Sequence, residues 1–161
     1  MTKLSPDDQA HLHPETLALS YGFDPWLSEG AVKPPVFLTS TFAFKHAADG
    51  KRFFEWAHGE GHPPPRREMG LIYSRINNPN LEIFEDRMAV WEGMKDAYSF
   101  SSGMAAIATT LLATHQPGDE MIVCAPVYGG TDSFIHHFLK RLGVVAHFVP
   151  AGIDAPALSL I

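Results

Sequence analysis

The sequence predicts an α/β fold in which a parallel βαβαβ sheet unit follows an irregular amino-terminal arm, and two observations support this prediction. Hydrophobic residues make up 45% of the 161 residues, which is ample for a packed core. After residue 69, apolar runs of strand length alternate with segments of helical periodicity, and this alternation is typical of parallel sheets. We therefore expect an arm over residues 1–69 and the α/β part over residues 70–161.

The arm contains many Gly, Pro, His and aromatic residues and little regular periodicity. Only residues 12–19 suggest a short helix, and three consecutive prolines at 63–65 mark a stiff boundary. Proline interrupts regular hydrogen bonding, whereas Phe and Trp side chains still require burial. We therefore expect the arm to lie over another surface, part of which belongs to a partner subunit, instead of forming a core of its own.

The α/β part opens with a helix whose two ends are visible in the sequence. Asn78 suits the N-cap, Pro79 suits the first turn, and Gly93 ends the helix. Between them, apolar residues recur at steps of three and four, which predicts an amphipathic helix. The residues of this apolar stripe are Leu81, Phe84, Met88 and Trp91. The segments that follow predict a strand over 97–101, a helix over 103–114, a strand within 117–127, a helix over 131–143 and a strand over 144–150.

The first strand-to-helix junction is the run Ser101-Ser102-Gly103-Met104. Ligands of parallel sheets gather beyond the carboxyl ends of the strands. Glycine admits close approach of a ligand, serine hydroxyls are donors, and the unpaired N–H groups that begin a helix attract anions. Ser102, Gly103 and Met104 are therefore candidates for phosphate binding, although an ordinary N-cap with a tight turn explains the same residues.

The second junction places Tyr128 between a strand and the pair Gly129-Gly130. A Tyr ring at this point can project over the rim of the sheet and stack on a flat heteroaromatic ligand. An equally good interpretation is that the ring covers the edge of the sheet while the two glycines form a turn.

Tyr73 and Arg75 lie before the first helix and share a face if their segment is extended. A guanidinium supplies a fork of donors and a phenol adds a hydroxyl, which together suit a dianionic phosphate. An ordinary surface arginine is the alternative. Neither G-x-G-x-x-G nor G-x-x-x-x-G-K-[ST] occurs, which argues against a nucleotide-binding α/β domain.

The chain from about Val32 to Pro150 resembles the pyridoxal-phosphate enzymes of cysteine and methionine metabolism. This family includes cystathionine gamma-synthase, the cystathionine lyases, methionine gamma-lyase and the homoserine sulfhydrylases. The resemblance rests on four stretches in the family's order and spacing: VKPPVFLTSTFAF, YSRINNPNLEIFEDRMAVWEG, AYSFSSGMAAIATTLLATHQPGDEMIV and VYGGTDSF.

The resemblance implies part of a fold-type I large domain and the cofactor pyridoxal 5'-phosphate. Ser102–Met104 match the loop that holds the cofactor phosphate. Tyr128 matches the residue that stacks on the pyridine ring and helps to move protons at the substrate. Tyr73 and Arg75 match a pair that completes the phosphate site of the neighbouring subunit, and the arm would then embrace that subunit.

The resemblance also implies a reaction, which is elimination or replacement at the gamma or beta carbon of an amino acid. Such a lyase or transferase breaks or makes a C–S bond. The expected substrate is an O-acylhomoserine, cystathionine or methionine. The expected assembly is a homo-oligomer, a dimer or a tetramer, whose active sites are shared between two chains.

Two features depart from the family pattern. Family subunits are considerably longer, and the Schiff-base lysine, the aspartate beside the pyridine nitrogen and the arginine for the substrate carboxylate would lie beyond the matched stretch. None of the six lysines of this chain suits the Schiff-base role, so we expect an amino-terminal fragment that is inactive alone. The segment 48–69 is longer than the usual connection, and we expect it to border the entrance to the site.

Composition and charge exclude several other classes of protein. The net charge is −6 and Lys and Arg form no stripe, so no nucleic-acid partner is expected. No apolar run reaches the length of a membrane helix, and we expect a cytoplasmic protein. Cys124 lies in an apolar run and is expected to be a small buried side chain instead of a nucleophile. His58, Glu60 and His62 lack fixed metal-site spacing, so no metal is expected.

A second hypothesis comes from a different class of function. The same phosphate loop and arm would serve a non-catalytic module that binds a phosphate ligand or supports assembly. The two hypotheses differ in whether a C–S bond is broken.

Overall fold

The computed structural model describes residues 11–62 and 70–152, which divide into two compact units between Ser99 and Phe100. The three prolines at 63–65 and the residues after Gly152 lie outside the described ranges. Within those ranges, no helix combines the length and the hydrophobicity that crossing a lipid bilayer requires.

The helices of the first unit, in chain order, are α1 (Pro14–Ser20), a 3-10 helix (Pro25–Ser28), α2 (Ala47–Ala57) and α3 (Pro79–Trp91). The short helix predicted over 12–19 is confirmed as α1. Two side chains of α3 fasten it. Arg87 Nε donates a hydrogen bond to the carbonyl of Tyr21 at 2.9 Å, and Trp91 Nε1 donates to the carbonyl of Pro14 at 2.9 Å. Residues 14–21 of the arm therefore contact a helix of their own chain.

Helix α2 corrects the expectation that the arm beyond α1 is irregular. Its first turn is held by the backbone N–H of His46, which donates to Asp49 Oδ2 at 3.2 Å. Arg52 pairs with Asp49, and Lys51 Nζ lies 3.2 Å from Glu55 Oε1. These pairs at steps of three and four stabilise the helix. Gly50 weakens the helical pattern of the sequence, so the helix was not predicted. The segment 48–69 is thus a helix over its first half.

Helix α3 begins as predicted. The side-chain oxygen of Asn78 accepts a hydrogen bond from the backbone N–H of Asn80 at 2.9 Å, and Pro79 occupies the first turn. Gly93 follows the helix with a φ of 62°, a left-handed conformation that favours glycine. The cap residues were readable because capping is a local interaction between neighbouring residues.

The buried face of α3 differs from the predicted apolar stripe. Ile83, Glu85 and Ala89 are the buried residues of the helix. Leu81, Phe84 and Trp91 of the apolar stripe remain 44%, 52% and 55% exposed. Helix α3 carries apolar residues on more than one side, and the residues that are buried in its own unit are not those of the predicted stripe. The apolar stripe stays open within the described part of the first unit.

The elements of the second unit, in chain order, are α4 (Gly103–Thr114), β1 (Glu120–Ala125), α5 (Gly129–His137), a 3-10 helix (Leu139–Leu142) and β2 (Val145–Pro150). Strands β1 and β2 are parallel, in a register that runs from Glu120 opposite Val145 to Ala125 opposite Pro150. The core between the sheet and the helices contains Val123, Ile135, Leu139 and Val144. This arrangement confirms the predicted α/β class with parallel strands.

The predicted strand over 97–101 is the exception. The segment has no regular secondary structure and pairs with neither described strand, and Tyr98 and Phe100 are 68% and 41% exposed. The backbone N–H of Ser99 donates instead to the carboxylate of Glu85 at 2.7 Å. A sheet ladder needs a neighbouring strand for such an N–H, and here a side chain of α3 takes that place.

Cys124 also departs from its prediction, because its side chain is exposed. Successive residues of a strand point to opposite faces of the sheet. The neighbouring Val123 enters the core, so Cys124 points the other way. An apolar run in the sequence does not reveal which of its two faces is covered.

Candidate functional site

The first candidate element is the start of α4, where Ser102 forms the N-cap. Its Oγ accepts a hydrogen bond from the backbone N–H of Ala105 at 3.1 Å, and its carbonyl accepts from Ala106 at 3.1 Å. The capping interpretation is therefore correct for the side-chain oxygen. The N–H groups of Gly103 and Met104 still point out of the helix start, because a helix leaves its first N–H groups without intrahelical partners, and the Ser102 hydroxyl keeps its own proton for donation.

The surroundings of this helix start favour an anion. The first turn of α4 contains no acidic residue, and the helix has 12 residues, enough for its dipole to add positive potential at this end. A Cβ built on Gly103 would meet no heavy atom within 4 Å. Packing within the described residues therefore does not demand glycine at this position, and the open space allows a ligand to approach the backbone.

The second candidate element is Tyr128, which forms the N-cap of α5 beyond the carboxyl end of β1. Its side chain is 70% exposed, so the ring is not packed as a cover for the sheet. An exposed aromatic face beside a strand end is available for stacking on a planar ligand.

The two junctions meet at Gly130. A Cβ built on Gly130 would lie only 2.6 Å from Tyr128 Cε1 and 3.1 Å from Met104 Sδ. Thr131 Oγ1, one residue further along α5, lies 3.8 Å from the same Met104 sulfur. The starts of α4 and α5 are therefore adjacent, and the Tyr128 ring lies across Gly130. Two of the predicted site elements form one surface.

Tyr73 and Arg75 belong to the first unit. Tyr73 forms an isolated antiparallel bridge with Thr41, and the guanidinium carbon of Arg75 lies 5.3 Å from the centre of the Tyr73 ring. Both side chains are exposed, and in the described ranges no carboxylate forms an ion pair with Arg75. The structure thus brings these two predicted residues together, with the guanidinium available to an anion.

Three sets of residues shape these elements in ways that the sequence did not predict. Gly130 leaves room for the Tyr128 ring, and the buried carboxylate of Glu85 holds Ser99, three residues before Ser102. The third set contains the asparagines at 77, 78 and 80. This last set leaves a sequence signal, the run N-N-P-N that begins two residues after Arg75.

An α/β unit with an open helix start and an exposed aromatic ring at one rim defines a domain suited to a phosphorylated ring ligand. Residues 15–157 match the family model described as Cys/Met metabolism PLP-dependent enzyme. The chain belongs to this family, which depends on pyridoxal phosphate (PLP). The predicted family, fold class and cofactor are confirmed.

Individual relatives point in the same direction. The chain is similar to L-methionine gamma-lyase of Pseudomonas deceptionensis, with 42% identity over 134 residues, or 83% of this chain and 31% of the relative. It is similar to O-acetyl-L-homoserine sulfhydrylase of Leptospira meyeri, with 32% identity over 136 residues, or 84% and 28% of the two chains.

Solved structures support the fold. MetB of Corynebacterium glutamicum matches with a TM-score of 0.75 at 25% identity, over 95% of this chain and 35% of that one. A candidate O-acetylhomoserine (thiol)-lyase, MetY of Campylobacter jejuni, matches with a TM-score of 0.78 at 26% identity, over 94% and 34%. The MetY structure contains a pyridoxyl-lysine phosphate group. The chain spans about a third of the length of these relatives.

Proposed function

We propose that this chain forms the phosphate and ring site of a PLP-dependent enzyme that breaks or makes C–S bonds in sulfur amino acids. The observation that carries the proposal is the meeting of Met104 and the Tyr128 ring at Gly130. Because of this contact, helix-start N–H groups that would suit a phosphate lie near an exposed aromatic face that would suit a pyridine ring. The relatives named as lyases and sulfhydrylases support the same class of reaction.

The donor set fits PLP. The N–H groups of Gly103 and Met104 and the hydroxyl of Ser102 can donate to phosphate oxygens, and the first turn of α4 adds no repulsive carboxylate. Tyr128 offers its ring face for stacking, and its phenol can hold or deliver a proton at the substrate. When bound, PLP withdraws electrons from the α-carbon of an amino acid and so permits bond changes at the beta and gamma carbons. The protein's own contribution is to hold the phosphate and the ring of the cofactor in fixed positions.

The second part of the proposal concerns a partner subunit. Arg75 and Tyr73 would complete the phosphate site of a neighbouring copy, so that each active site takes residues from two chains. The arm supports such an assembly, because several of its large apolar side chains are strongly exposed. These residues are Trp26 (85%), Leu27 (83%), Val32 (88%), Val36 (75%) and Leu38 (93%). The proposed assembly is a homodimer or a tetramer of such dimers.

The proposed substrates are an O-acylhomoserine, cystathionine or methionine, so the activity lies among methionine gamma-lyase, sulfhydrylase and cystathionine gamma-synthase. None of the six lysines is proposed to carry the cofactor. Lys45 and Lys51, for example, lie in or next to α2 of the first unit, with exposed side chains.

The proposal is tested by comparing the affinities for PLP and for pyridoxal, which lacks the phosphate, through quenching of protein fluorescence. We expect Ser102→Ala to weaken PLP binding about tenfold, because a hydrogen bond to a charged group is lost. Pyridoxal binding should change little. Ser133→Ala, an exposed serine on α5, is the matched control. Equal affinity of the unmodified chain for PLP and pyridoxal would contradict a phosphate site.

The alternative function, a non-catalytic phosphate-binding or assembly module, is supported by the same phosphate loop and exposed arm. It is distinguished by release of a thiol from methionine, measured with a thiol reagent on the full-length protein. A module that binds PLP without releasing thiol, and without cystathionine formation from O-acylhomoserine and cysteine, would have lost the enzyme activity.

A further inference from the structure

Asn77 forms hydrogen bonds with the segment that leads to the exposed Tyr73 and Arg75. Its side chain is buried, at 6% exposure. The side-chain oxygen accepts a hydrogen bond from the N–H of Ile72 at 3.1 Å, and the amide nitrogen donates to the carbonyl of Gly70 at 2.7 Å. Because both groups of the amide are used, Asn77 closes the chain from residue 70 to residue 77 into a loop.

Asn78 performs two separable tasks. Its oxygen caps α3 by accepting from the N–H of Asn80, as described above. Its amide nitrogen donates to Ser74 Oγ at 3.1 Å and to the carbonyl of Phe37 at 3.3 Å. Ser74 lies between Tyr73 and Arg75, so the amide nitrogen of Asn78 joins the middle of this pair to the arm.

Backbone hydrogen bonds also join the segment around Ser74 to the arm. The N–H of Ser74 donates to the carbonyl of Ser40 at 3.0 Å, and the N–H of Phe42 donates to the carbonyl of Ile72 at 3.0 Å. Ser74 Oγ also donates to the carbonyl of Thr39. The segment 39–42 therefore runs antiparallel to 72–74, and Asn78 holds the end of this pairing.

Tyr73 and Arg75 themselves have no comparable support among the described residues. Both side chains are exposed, and the guanidinium carbon of Arg75 lies 5.3 Å from the centre of the Tyr73 ring. Among the described residues, the guanidinium forms no ion pair. Their direction is therefore set by the backbone that carries them. A backbone shift of about 1 Å is enough to spoil charged recognition geometry.

We propose that Asn77 and Asn78 are positioning residues for the Tyr73–Arg75 pair. Asn78 does this with its amide nitrogen, independently of its cap. The inference rests on the proposed function, because it assumes that the Tyr73–Arg75 pair binds the PLP phosphate of a neighbouring copy. It adds the origin of that pair's geometry, and it gives a role to the two asparagines at 77 and 78.

The test uses substitutions that retain the cap. Asn78→Ser and Asn78→Asp keep an oxygen for the N–H of Asn80, since Ser and Asp are also good N-caps, and both lose the amide donor. Asn80→Asp is the matched control, because it adds the same charge and loses only the amide's donation to the carbonyl of Pro35. Arg75→Ala reports on the proposed phosphate site itself. Affinities for PLP and pyridoxal are measured on the full-length oligomer, with helix content from circular dichroism.

We expect Asn78→Ser and Asn78→Asp each to lower PLP affinity about tenfold while pyridoxal affinity and helix content stay constant. Asn80→Asp should stay within about twofold of the unmodified protein. In an Arg75→Ala background, Asn78→Ser should have no further effect on PLP affinity, because the two residues act through one contact.

Each contrary result has a definite meaning. If Arg75→Ala weakens PLP binding and the Asn78 variants do not, the positioning role is wrong and the proposed function stands. If Asn78→Ser weakens PLP and pyridoxal equally, or acts fully in the Arg75→Ala background, its role is general folding and the inference fails. If Arg75→Ala leaves PLP affinity unchanged, the proposed shared phosphate site fails, and the inference fails with it.

Discussion

Gly130 lies where Met104 and the Tyr128 ring approach each other so closely that no room is left for a side chain. A Cβ there would lie 2.6 Å from Tyr128 Cε1, closer than real contacts allow, whereas a Cβ on the adjacent Gly129 would meet nothing within 4 Å. Gly130 is not among the glycines with a positive φ, so the conflict is with side chains and not with the backbone: mainly with the Tyr128 ring, and less severely with Met104 Sδ at 3.1 Å. The ring is exposed and can move away at little cost to folding.

The first prediction follows from this difference between neighbouring glycines. Gly130→Ala should displace the Tyr128 ring and lower PLP affinity roughly threefold to tenfold, the value of one aromatic stacking contact. Gly129→Ala should leave the affinity unchanged, and both variants should melt within a few degrees of the unmodified protein. Fluorescence quenching by PLP gives the affinities. Equal behaviour of the two variants would show that the ring does not take part in binding.

The second prediction concerns Glu85, the buried carboxylate that accepts from the N–H of Ser99 at 2.7 Å and from Ser99 Oγ at 2.8 Å. Glu85→Ala should lower the free energy of unfolding by about 3 kcal/mol, because two hydrogen bonds to a charged group are lost in a buried place. Glu92→Ala, at the exposed end of α3, should change it by less than about 0.5 kcal/mol. Urea unfolding of both variants measures the difference, and similar values would argue that Ser99 is held by other contacts.

At the scale of elements, helix α2 is stabilised at its first turn by a carboxylate. Hydrogen bonding from Arg52 lowers the pKa of Asp49 below its usual value of 3.8, and the backbone N–H of His46 acts in the same direction. A group whose pKa is lowered by folding contributes stability above its unfolded pKa and loses it as the pH falls through the folded pKa. The contribution of Asp49 is therefore complete at neutral pH.

The third prediction is the pH dependence of this helix. The helical signal of α2 should fall as the pH drops from about 4 through the lowered pKa of Asp49. In Asp49→Asn, which cannot titrate, the signal should be lower at neutral pH and flatter across this range. Amide hydrogen exchange of residues 50–57 at pH 6 and pH 3 measures the effect. An unchanged pH profile in the variant would assign the acid response to another carboxylate.

Local interactions explain which elements were predictable from the sequence. The cap at Asn78 and the glycine after α3 follow from residues within one helical turn. The set of buried residues on α3 does not, because burial depends on contacts between segments that are distant in the chain; α3 itself bonds to such segments through Arg87 with Tyr21 and Trp91 with Pro14. Helix α2 was missed since Gly50 weakens its pattern, while the side-chain pairs that support it become visible only as contacts.

At the scale of the whole molecule, the sequence predicted those parts of the candidate site whose position follows from the order of the elements along the chain. The order of elements correctly placed Ser102–Met104 at the start of α4 and Tyr128 at the junction between β1 and α5, and the resemblance added Tyr73 and Arg75. The strand predicted at 97–101 failed to pair with either described strand, because pairing is a contact between distant segments. The roles of Gly130, Asn77 and Asn78 became visible only in the three-dimensional structure, because they depend on distances to other residues.

The fourth prediction uses the assembly as a whole, because a site shared by two copies can be rebuilt from two damaged chains. In a mixed dimer of Arg75→Ala and Tyr128→Ala subunits, one site would combine an intact Tyr128 from one chain with an intact Arg75 from the other. Random mixing of equal amounts should therefore restore about a quarter of the sites, since half of the dimers are mixed and each has one intact site of two. Thiol release from methionine and PLP binding both report the number of intact sites.

The control for this experiment is a chain that carries both substitutions. Mixed with either single variant, it leaves every site without Arg75 or without Tyr128, so no recovery is expected. If both residues instead served the same chain's site, mixing the two single variants would also restore nothing, because each chain would bring only its own damaged site. Recovery in the first mixture and its absence in the second would therefore locate Arg75 in the neighbour's site, and the recovered fraction would count the sites that two chains build together.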